Sequence, residues 1–238
     1  MEGFRAIVTG ASSGIGRAAA VELSNRGVEL ILVGRRDEVL HELRASIEMG
    51  GGHATVVCGD LRSPRLSEKI VNVARSPEDA LVTPVLVNCA GVAIFGPYAK
   101  FEERDIEETI QVNLLAPMLL TNEVLPWMLE RGRGHIVNVL SVAAVETLNG
   151  AAAYSASKGG LLAFGKGIAA EYRRSGVRVT SLIPGATDTP LWDVQGFQPP
   201  REDMLSASAL GKIVADIVTT DEYRYVDEIR VMPEKGLL

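Results

Sequence analysis

Three side chains in this sequence have the types and spacing for proton chemistry on an oxygen atom. Tyr154 and Lys158 stand four residues apart in AAYSASKGGLLAFGKGIAAEY, residues 152–172, a stretch that reads as a helix. Positions i and i+4 share a helix face, with Cβ atoms about 5 to 6 Å apart, so phenol and ammonium can serve one site. A free tyrosine titrates at about pH 10 and is a poor base at neutrality, but an adjacent cation stabilises the phenolate and lowers that value by about a unit or more. A phenol tuned in this way exchanges a proton with an alcohol or carbonyl oxygen. No acid flanks the lysine; a carboxylate there would cancel the field the phenolate needs. The bland alternative is a lysine snorkelling past a half-buried tyrosine. Against it stands HIVNVLSVAA, a strand-like run ending at Ser141, thirteen positions before Tyr154. A hydroxyl at the carboxyl edge of a sheet, where ligands of open α/β folds bind, can hydrogen-bond a substrate oxygen.

A second constellation suits a phosphate. The first apolar run leads straight into TGASSGIG, residues 9–16, with a helix expected from about Ile15. Gly10, Gly14 and Gly16 let the backbone turn tightly, with Ser12, Ser13 and Ile15 filling the turn. The unpaired N–H groups and the positive end of the helix attract a pyrophosphate. The second run, LILV, ends in Gly34, Arg35 and Arg36. An NAD(H) site carries an acid about 20 residues past the glycines for the ribose 2′-hydroxyl, whereas an NADP(H) site carries cations for the 2′-phosphate. No carboxylate occupies position 34, and Arg35 offers a planar fork that matches phosphate oxygens, so NADP(H) is expected. Asp37 keeps NAD(H) open as the alternative, since it either caps the following helix or reaches a ribose hydroxyl.

These groups need a scaffold, and the hydrophobic pattern supplies one. FRAIVT, VELILV, HATVVC, PVLVN, GHIVNVL, VRVTSLI and DEIRVM are apolar runs of strand length, separated by stretches of helical period such as IGRAAAVELSNRG, DEVLHELRASIEMG and RLSEKIVNVAR. Runs that are apolar throughout imply burial on both faces. The expected fold is α/β, a single Rossmann-like, doubly wound parallel sheet of seven strands with helices on both faces, in one domain spanning residues 1–238. Gly27 and Gly50 fall where helices should stop. After Thr189 the stretch PLWDVQGFQPPRED has no period, and a substrate lid is expected around 190–206.

Composition narrows the partners. The formal net charge of −6 argues against nucleic acid. No apolar run is long enough for a membrane span, and the first residues lack a signal-peptide pattern, so a cytoplasmic location is expected. Cys58 and Cys89 lie in apolar runs without CxxC spacing and read as buried thiols; His41, His53 and His135 are scattered and read as structural, and no metal is expected.

Taken together, TGASSGIG, Asp60-Leu61, NCAG (residues 88–91), QVNLLAP with Asn113, Ser141, YSASK and PGATDTP (from Pro184) resemble the short-chain dehydrogenase/reductase family, in the family's order, over residues 5–190. The resemblance implies that Tyr154 is the general acid/base, that Ser141 polarises the substrate carbonyl or alcohol, and that Lys158 lowers the tyrosine pKa and binds the nicotinamide ribose. It implies that Asn113 holds a water linking the lysine to solvent. It also sets Asp60 and Leu61 at the adenine, Asn88, Ala90 and Gly91 at the adenine ribose, and Pro184, Gly185, Thr187 and Thr189 at the nicotinamide. Cys89 departs from the family's second asparagine, and a local change of packing is expected from it. The tail lacks the glycine-rich ending of many tetrameric members, leaving a homodimer through the helices flanking Ser141 and a homotetramer both open.

Val92, Ile94 and Phe95 after NCAG, Val145 and Leu148 before the tyrosine, and Leu191, Trp192 and Phe197 in the lid form the expected pocket wall. Apart from Lys158 that wall carries no cation, which favours an apolar ketone, aldehyde or secondary alcohol over an anion. A carbonyl reductase, reversible as an alcohol dehydrogenase, is expected; a non-catalytic NADP(H) sensor or scaffold is the alternative from another class.

Overall fold

A computed structural model of the chain describes residues 3–63, 65–75, 81–193, 195, 199–219 and 225–237. All seven apolar runs form strands. In chain order the elements are β1 (Phe4–Thr9), α1 (Gly14–Ser24), β2 (Glu29–Gly34), α2 (Asp37–Met49), β3 (Ala54–Cys58), α3 (Leu66–Ala74) and β4 (Thr83–Asn88). Next come α4 (Glu103–Ile110), α5 (Ala116–Arg131), β5 (Gly134–Val139), α6 (Ala152–Tyr172), β6 (Val177–Pro184), β7 (Thr187–Asp188), β8 (Leu205–Ser206), α7 (Ala207–Val218) and β9 (Glu228–Val231).

The main sheet has seven strands in the order β3-β2-β1-β4-β5-β6-β9, every neighbouring pair parallel. Both of its faces are covered, which is why the strands are apolar throughout rather than alternating. Ala6, Val8, Leu30, Leu32, Val85 and Val87 turn to one side, where they pack with α1, α2 and α7. Their neighbours Ile7, Ile31, Val33 and Leu86 turn to the other, against α3, α5 and α6. From β1 the chain order runs outward to β2 and β3 on one side and to β4 on the other, so a crevice opens at the carboxyl ends of β1 and β4, where ligands of such sheets bind.

Two local features bear on the site. Between α4 and α5, residues Gln111–Leu115 form a π-helical turn that carries Asn113; such turns occur often at functional sites. In the stretch after Thr189 the described residues are bracketed by specific contacts. β7 and β8 pair in parallel at its root, Pro190–Trp192 and Arg201–Asp203 form short 3₁₀ turns, and Arg201 ties Asp188 to Asp193. Residues 194 and 196–198, including Phe197 of the expected pocket wall, lie outside the described residues.

The histidine and cysteine readings meet specific surroundings. His135 is buried on β5, with Nε2 2.9 Å from Thr180 Oγ1 on β6. Burial, helped by the nearby Arg178 charge, pushes its pKa down to about 3. His41 lies 3.7 Å from Asp37. Both cysteines are free thiols.

Candidate active site

The site begins where β1 ends. Thr9 Oγ1 donates to Val87 O (3.2 Å) and accepts from the backbone N–H groups of Cys89 (3.0 Å) and Ala90 (3.1 Å), bolting the loop after β4 to the end of β1. Gly10 follows at φ 69°, and a Cβ there would stand 2.9 Å from Ala90 Cα. At Gly16 an added Cβ would come within 2.5 Å of Gly10 O. Only glycine lets these backbones close into so tight a turn. The turn delivers the chain to α1, whose first turn holds no acidic residue and whose N-cap, Ser13, makes no side-chain cap. The helix start therefore offers free N–H groups and positive potential to an anion.

At the end of β2 the two arginines part ways. Arg36 is the N-cap of α2 and turns its guanidinium onto the glycine turn, donating to Ser12 O (2.9 Å) and Ser12 Oγ (3.1 Å). Arg35 lines the cleft, acts on Asp60 through space, and among the described residues makes no ion pair. Asp37 neither caps α2 with its side chain nor lines the cleft; it pairs with His41 and lies against Cys58. Asp60 lines the cleft beside Leu61, and its carboxylate is gripped by Arg62 through Nε (3.0 Å) and Nη2 (2.7 Å), which pulls its pKa down to about 2.

One cleft of about 530 Å³ joins the glycine turn to the tyrosine. Of the residues expected at the site, it is lined by Gly10, Ser12, Ser13, Gly14, Ile15, Gly16, Arg35, Arg36, Asp60, Leu61, Ala90, Gly91, Val92, Tyr154, Lys158, Thr189 and Leu191. The others stand behind that wall. Asn88 is buried and donates through Nδ2 to Asn138 Oδ1 on β5 (2.9 Å), so its side chain ties two strands together and only its backbone is left for the expected ribose contact. Pro184 closes β6, and Gly185 N donates to Val231 O (2.8 Å). Thr187 is buried and donates to Gly185 O (3.0 Å), so these three shape the root of the lid from below. Ile94 and Trp192 also fall outside the lining, although Trp192 belongs to the lid and donates through Nε1 to Thr187 O (3.1 Å).

Tyr154 and Lys158 lie on the same face of α6 and are both buried, with the ammonium 5.9 Å from the centre of the phenol ring. Lys158 Nζ donates to Val139 O at the end of β5 (3.0 Å) and has no carboxylate partner among the described residues. Ser141, at the N-cap of a short turn after β5, accepts from Ala143 N (3.1 Å), and its hydroxyl lies near enough to the Tyr154 phenol to favour the phenolate. Asn113 is fully buried. Its Oδ1 accepts from Val92 N (2.9 Å), and its Nδ2 donates to Val92 O (2.8 Å) and to Ser157 Oγ (3.0 Å). Both amide donors are thus spent on the protein, and any water beside the lysine must be held through oxygen. Gly91 keeps this corner open, since a Cβ there would stand 3.3 Å from Asn113 Oδ1 and 3.5 Å from Lys158 Nζ.

The electrostatics differ from the simple expectation of a lysine-acidified phenol. Burial pushes Tyr154 up to about 12, opposed by the nearby Ser141 hydroxyl, and pulls Lys158 down to about 8. Desolvation penalises the charged form of each group and is the largest influence on both. Tyr154 is therefore held protonated at neutral pH, as a proton donor. Cys89, its backbone bolted by Thr9, is pushed up to about 12 by burial and is an inert thiol.

Two residues that complete the site escaped the sequence reading. Ser157 Oγ donates to Tyr154 O (2.7 Å) while accepting from Asn113, linking the π-helical turn to α6. Its signal was a serine three residues after the tyrosine, spaced to bond back to the carbonyl one turn earlier. Thr9 was visible as a polar residue at the end of an apolar strand. The acceptor for Lys158, a carbonyl on β5, has no signature in a sequence.

Residues 5–197 match the short chain dehydrogenase family. The chain belongs to that family. Among relatives of this short-chain dehydrogenase, an uncharacterized oxidoreductase of Staphylococcus saprophyticus is 36% identical over 186 residues, 78% of this chain and 79% of the relative. One of Staphylococcus haemolyticus is 29% identical over 98% of both. Among solved structures, a metagenomic short-chain oxidoreductase in complex with NADP superimposes with a TM-score of 0.82 at 31% identity, covering 98% of this chain and 97% of that one. A short-chain dehydrogenase of Sphingobium yanoikuyae in complex with NADPH gives 0.83 at 29%, over 95% and 87%. An alcohol dehydrogenase of Thermococcus sibiricus, at 23% identity and 0.88 over 97% and 96%, shares the fold. Among the described residues this short-chain dehydrogenase has no acid, histidine or cysteine cluster suited to a metal and no helix long and apolar enough to cross a membrane.

Proposed function

We propose that the chain is an NADP(H)-dependent carbonyl reductase, reversible as an alcohol dehydrogenase, with residues 1–238 as one catalytic domain. The observation that carries this reading is a buried phenol held as a proton donor at one end of a cleft whose other end is a glycine turn beside Arg35, which has no ion-pair partner among the described residues.

The residues fit the nucleotide. Gly10 and Gly16 form a cradle that a methyl group would fill, and α1 aims free N–H groups at it, matching a pyrophosphate. Asp60 and Leu61, with Ala90, form the adenosine end, and Thr189 the nicotinamide end; Gly91, expected at the adenine ribose, stands beside Lys158 between them. Arg35 is the residue for the 2′-phosphate, and Arg36 fixes the turn through Ser12. When bound, the nicotinamide supplies a hydride to the substrate's carbonyl carbon. Tyr154 gives its phenolic proton to the oxygen as the C=O π bond breaks, so ketone becomes secondary alcohol and reduced nucleotide becomes oxidised. Ser141 holds that oxygen, with a donor aimed where negative charge develops. Lys158, reached through the corner beside Gly91, returns positive charge to the phenolate left behind. Val92 and Leu191 line the substrate end, and their apolar character suits an uncharged ketone, aldehyde or secondary alcohol. A reducing, cytoplasmic setting accords with the free thiols.

The test is reduction of a carbonyl panel with NADPH and NADH by wild type, Arg35→Ser and Tyr154→Phe. Expected are a wild-type preference for NADPH and a loss of about 10- to 100-fold in that preference for Arg35→Ser, since one charge-assisted contact is removed. Tyr154→Phe should lose about 10²- to 10⁴-fold in kcat while still binding NADPH. Equal turnover by wild type and Tyr154→Phe would turn the reading towards a nucleotide sensor.

A further inference from the structure

The Tyr154 ring is the inner member of a row of aromatic side chains. Phe95, from the loop after β4, meets it edge to face, with centroids 5.6 Å apart and planes at 84°. Trp192, from the lid, lies 5.6 Å beyond Phe95 at 36°. Ala93, Ala143, Leu148 and Leu191 pack around them, and none of this cluster carries a charge. The charged side chains of the cleft other than Lys158, namely Arg35, Arg36 and Asp60, belong to the nucleotide end.

Two loops far apart in sequence build this row, and several bonds hold them in register. Gly96 N donates to Gly150 O (2.9 Å), Gln195 Nε2 to Ala93 O (2.7 Å), and Arg201 ties Asp188 and Asp193 beneath the lid. Phe95 and Trp192 are half-buried and stand just outside the cleft lining, behind Ala93 and Leu191, which line it and pack in one cluster with Phe95. Their rings are not consumed by the core, and a flat ring arriving beside them gains contacts beyond the area it buries.

We propose that Phe95, backed by Trp192, is the specificity-determining residue of this site and selects carbonyl compounds whose C=O is attached to an aromatic or conjugated planar group. The proposal rests on Tyr154 as proton donor. An oxygen that accepts from the Tyr154 hydroxyl would direct its substituents past Ala93 and Leu191 of the cleft wall towards the Phe95 ring, which touches Tyr154 on one side and Trp192 on the other. A saturated ring of similar size buries comparable area but has no quadrupole to match these rings. A polyol or sugar acid meets a wall whose side-chain donors among the described residues, Trp192 Nε1 and Gln195 Nε2, are already bonded to backbone carbonyls, and it leaves its hydroxyl groups unpaired.

The experiment compares phenyl methyl ketone with cyclohexyl methyl ketone, both reduced with NADPH, in wild type, Phe95→Leu, Phe95→Tyr and Trp192→Leu. The quantity read is the change in the phenyl-to-cyclohexyl ratio of kcat/KM on substitution, which cancels the intrinsic reactivity of the two ketones. Phe95→Leu should lower the ratio about three- to tenfold, chiefly through KM, as expected for loss of one aromatic pair. Phe95→Tyr should keep it, and Trp192→Leu should lower it in the same direction. Should Phe95→Leu fail to fold, the Trp192→Leu and Phe95→Tyr ratios decide. An unchanged ratio in the leucine variants overturns the proposal.

A binding measurement separates this outcome from failure of the reductase reading. The chain has two tryptophans. Trp127 is buried in the core, so Trp192 fluorescence reports on the lid, with Trp192→Phe identifying its share. In wild type, 1-phenylethanol should quench that fluorescence at lower concentration than 1-cyclohexylethanol, and Phe95→Leu should abolish the difference. If neither ketone is reduced but this difference holds, the reductase reading falls and the ring selectivity stands. If both ketones are reduced and neither ratio nor quenching responds to Phe95, the reverse follows.

Discussion

At the scale of single residues, burial decides the charge state of a phenol and an ammonium one turn apart. Desolvation raises Tyr154 to about 12 and lowers Lys158 to about 8, so the protein by itself holds the tyrosine as an acid ready to protonate an alkoxide-like oxygen. The reverse reaction needs the phenolate. Its population grows about tenfold per pH unit below the phenol's pKa, so alcohol oxidation should climb with pH through the neutral range while ketone reduction stays comparatively flat. Initial rates in both directions across pH 6 to 9 check this; an oxidation rate independent of pH would remove Tyr154 from the proton transfer. The pairing of Tyr154 with Lys158 was legible because helical spacing alone puts i and i+4 on one face. The sign of the shift was not, since desolvation depends on how completely strands and loops from elsewhere in the chain cover both groups.

At the scale of elements, the phosphate turn works only if α1 is aimed correctly, and α7 holds it there. Gly211 on α7 sits so close to α1 that an added Cβ would come within 2.6 Å of the Ala18 carbonyl carbon. Gly211→Leu should force the two helices apart, costing roughly 1 to 3 kcal/mol in chemical denaturation. It should also raise the KM for NADPH, although Gly211 is distant in sequence from the turn. The glycines of the turn itself were readable from their place between an apolar run and a helical period. Gly211 was not, because a close helix crossing leaves no local mark. The same contrast holds for the two arginines after β2. Their charge pointed to a phosphate, but the division of labour, Arg36 on Ser12 and Arg35 in the cleft, emerges only when β2 is laid beside the first turn.

At the scale of the whole molecule, the sheet carries a buried histidine that sets acid stability. His135 falls from its ordinary 6.5 to about 3 in the folded chain. Between those values the unfolded chain binds the extra proton, so stability rises with pH across that window and is lost as pH falls. Denaturation midpoints should drop between pH 6.5 and about 4, above most carboxylate titrations, and His135→Gln should flatten that slope. The outer surface bears on assembly. Leu115, Met118 and Leu119, at the start of α5, are exposed, and we propose that the helices flanking Ser141 pair between copies. Light scattering should then give at least twice the chain mass, and Leu119→Arg should reduce it to one chain; a monomeric wild type would refute the pairing.

The amino-acid order was enough to determine the layered α/β fold, because continuous apolar runs alternating with helical periods have few ways to bury both faces of a sheet. It also marked the glycine turn and the tyrosine with its lysine, since each is a local pattern with a local geometric consequence. The tertiary structure alone decided that the Asn88 side chain ties β4 to β5, that Asn113 and Ser157 lock the π-helical turn to α6, and that Phe95 and Trp192 meet beside Tyr154. Each of those outcomes joins residues tens of positions apart, and contacts of that kind are set by how the packed elements fill space together, which no short window of sequence contains.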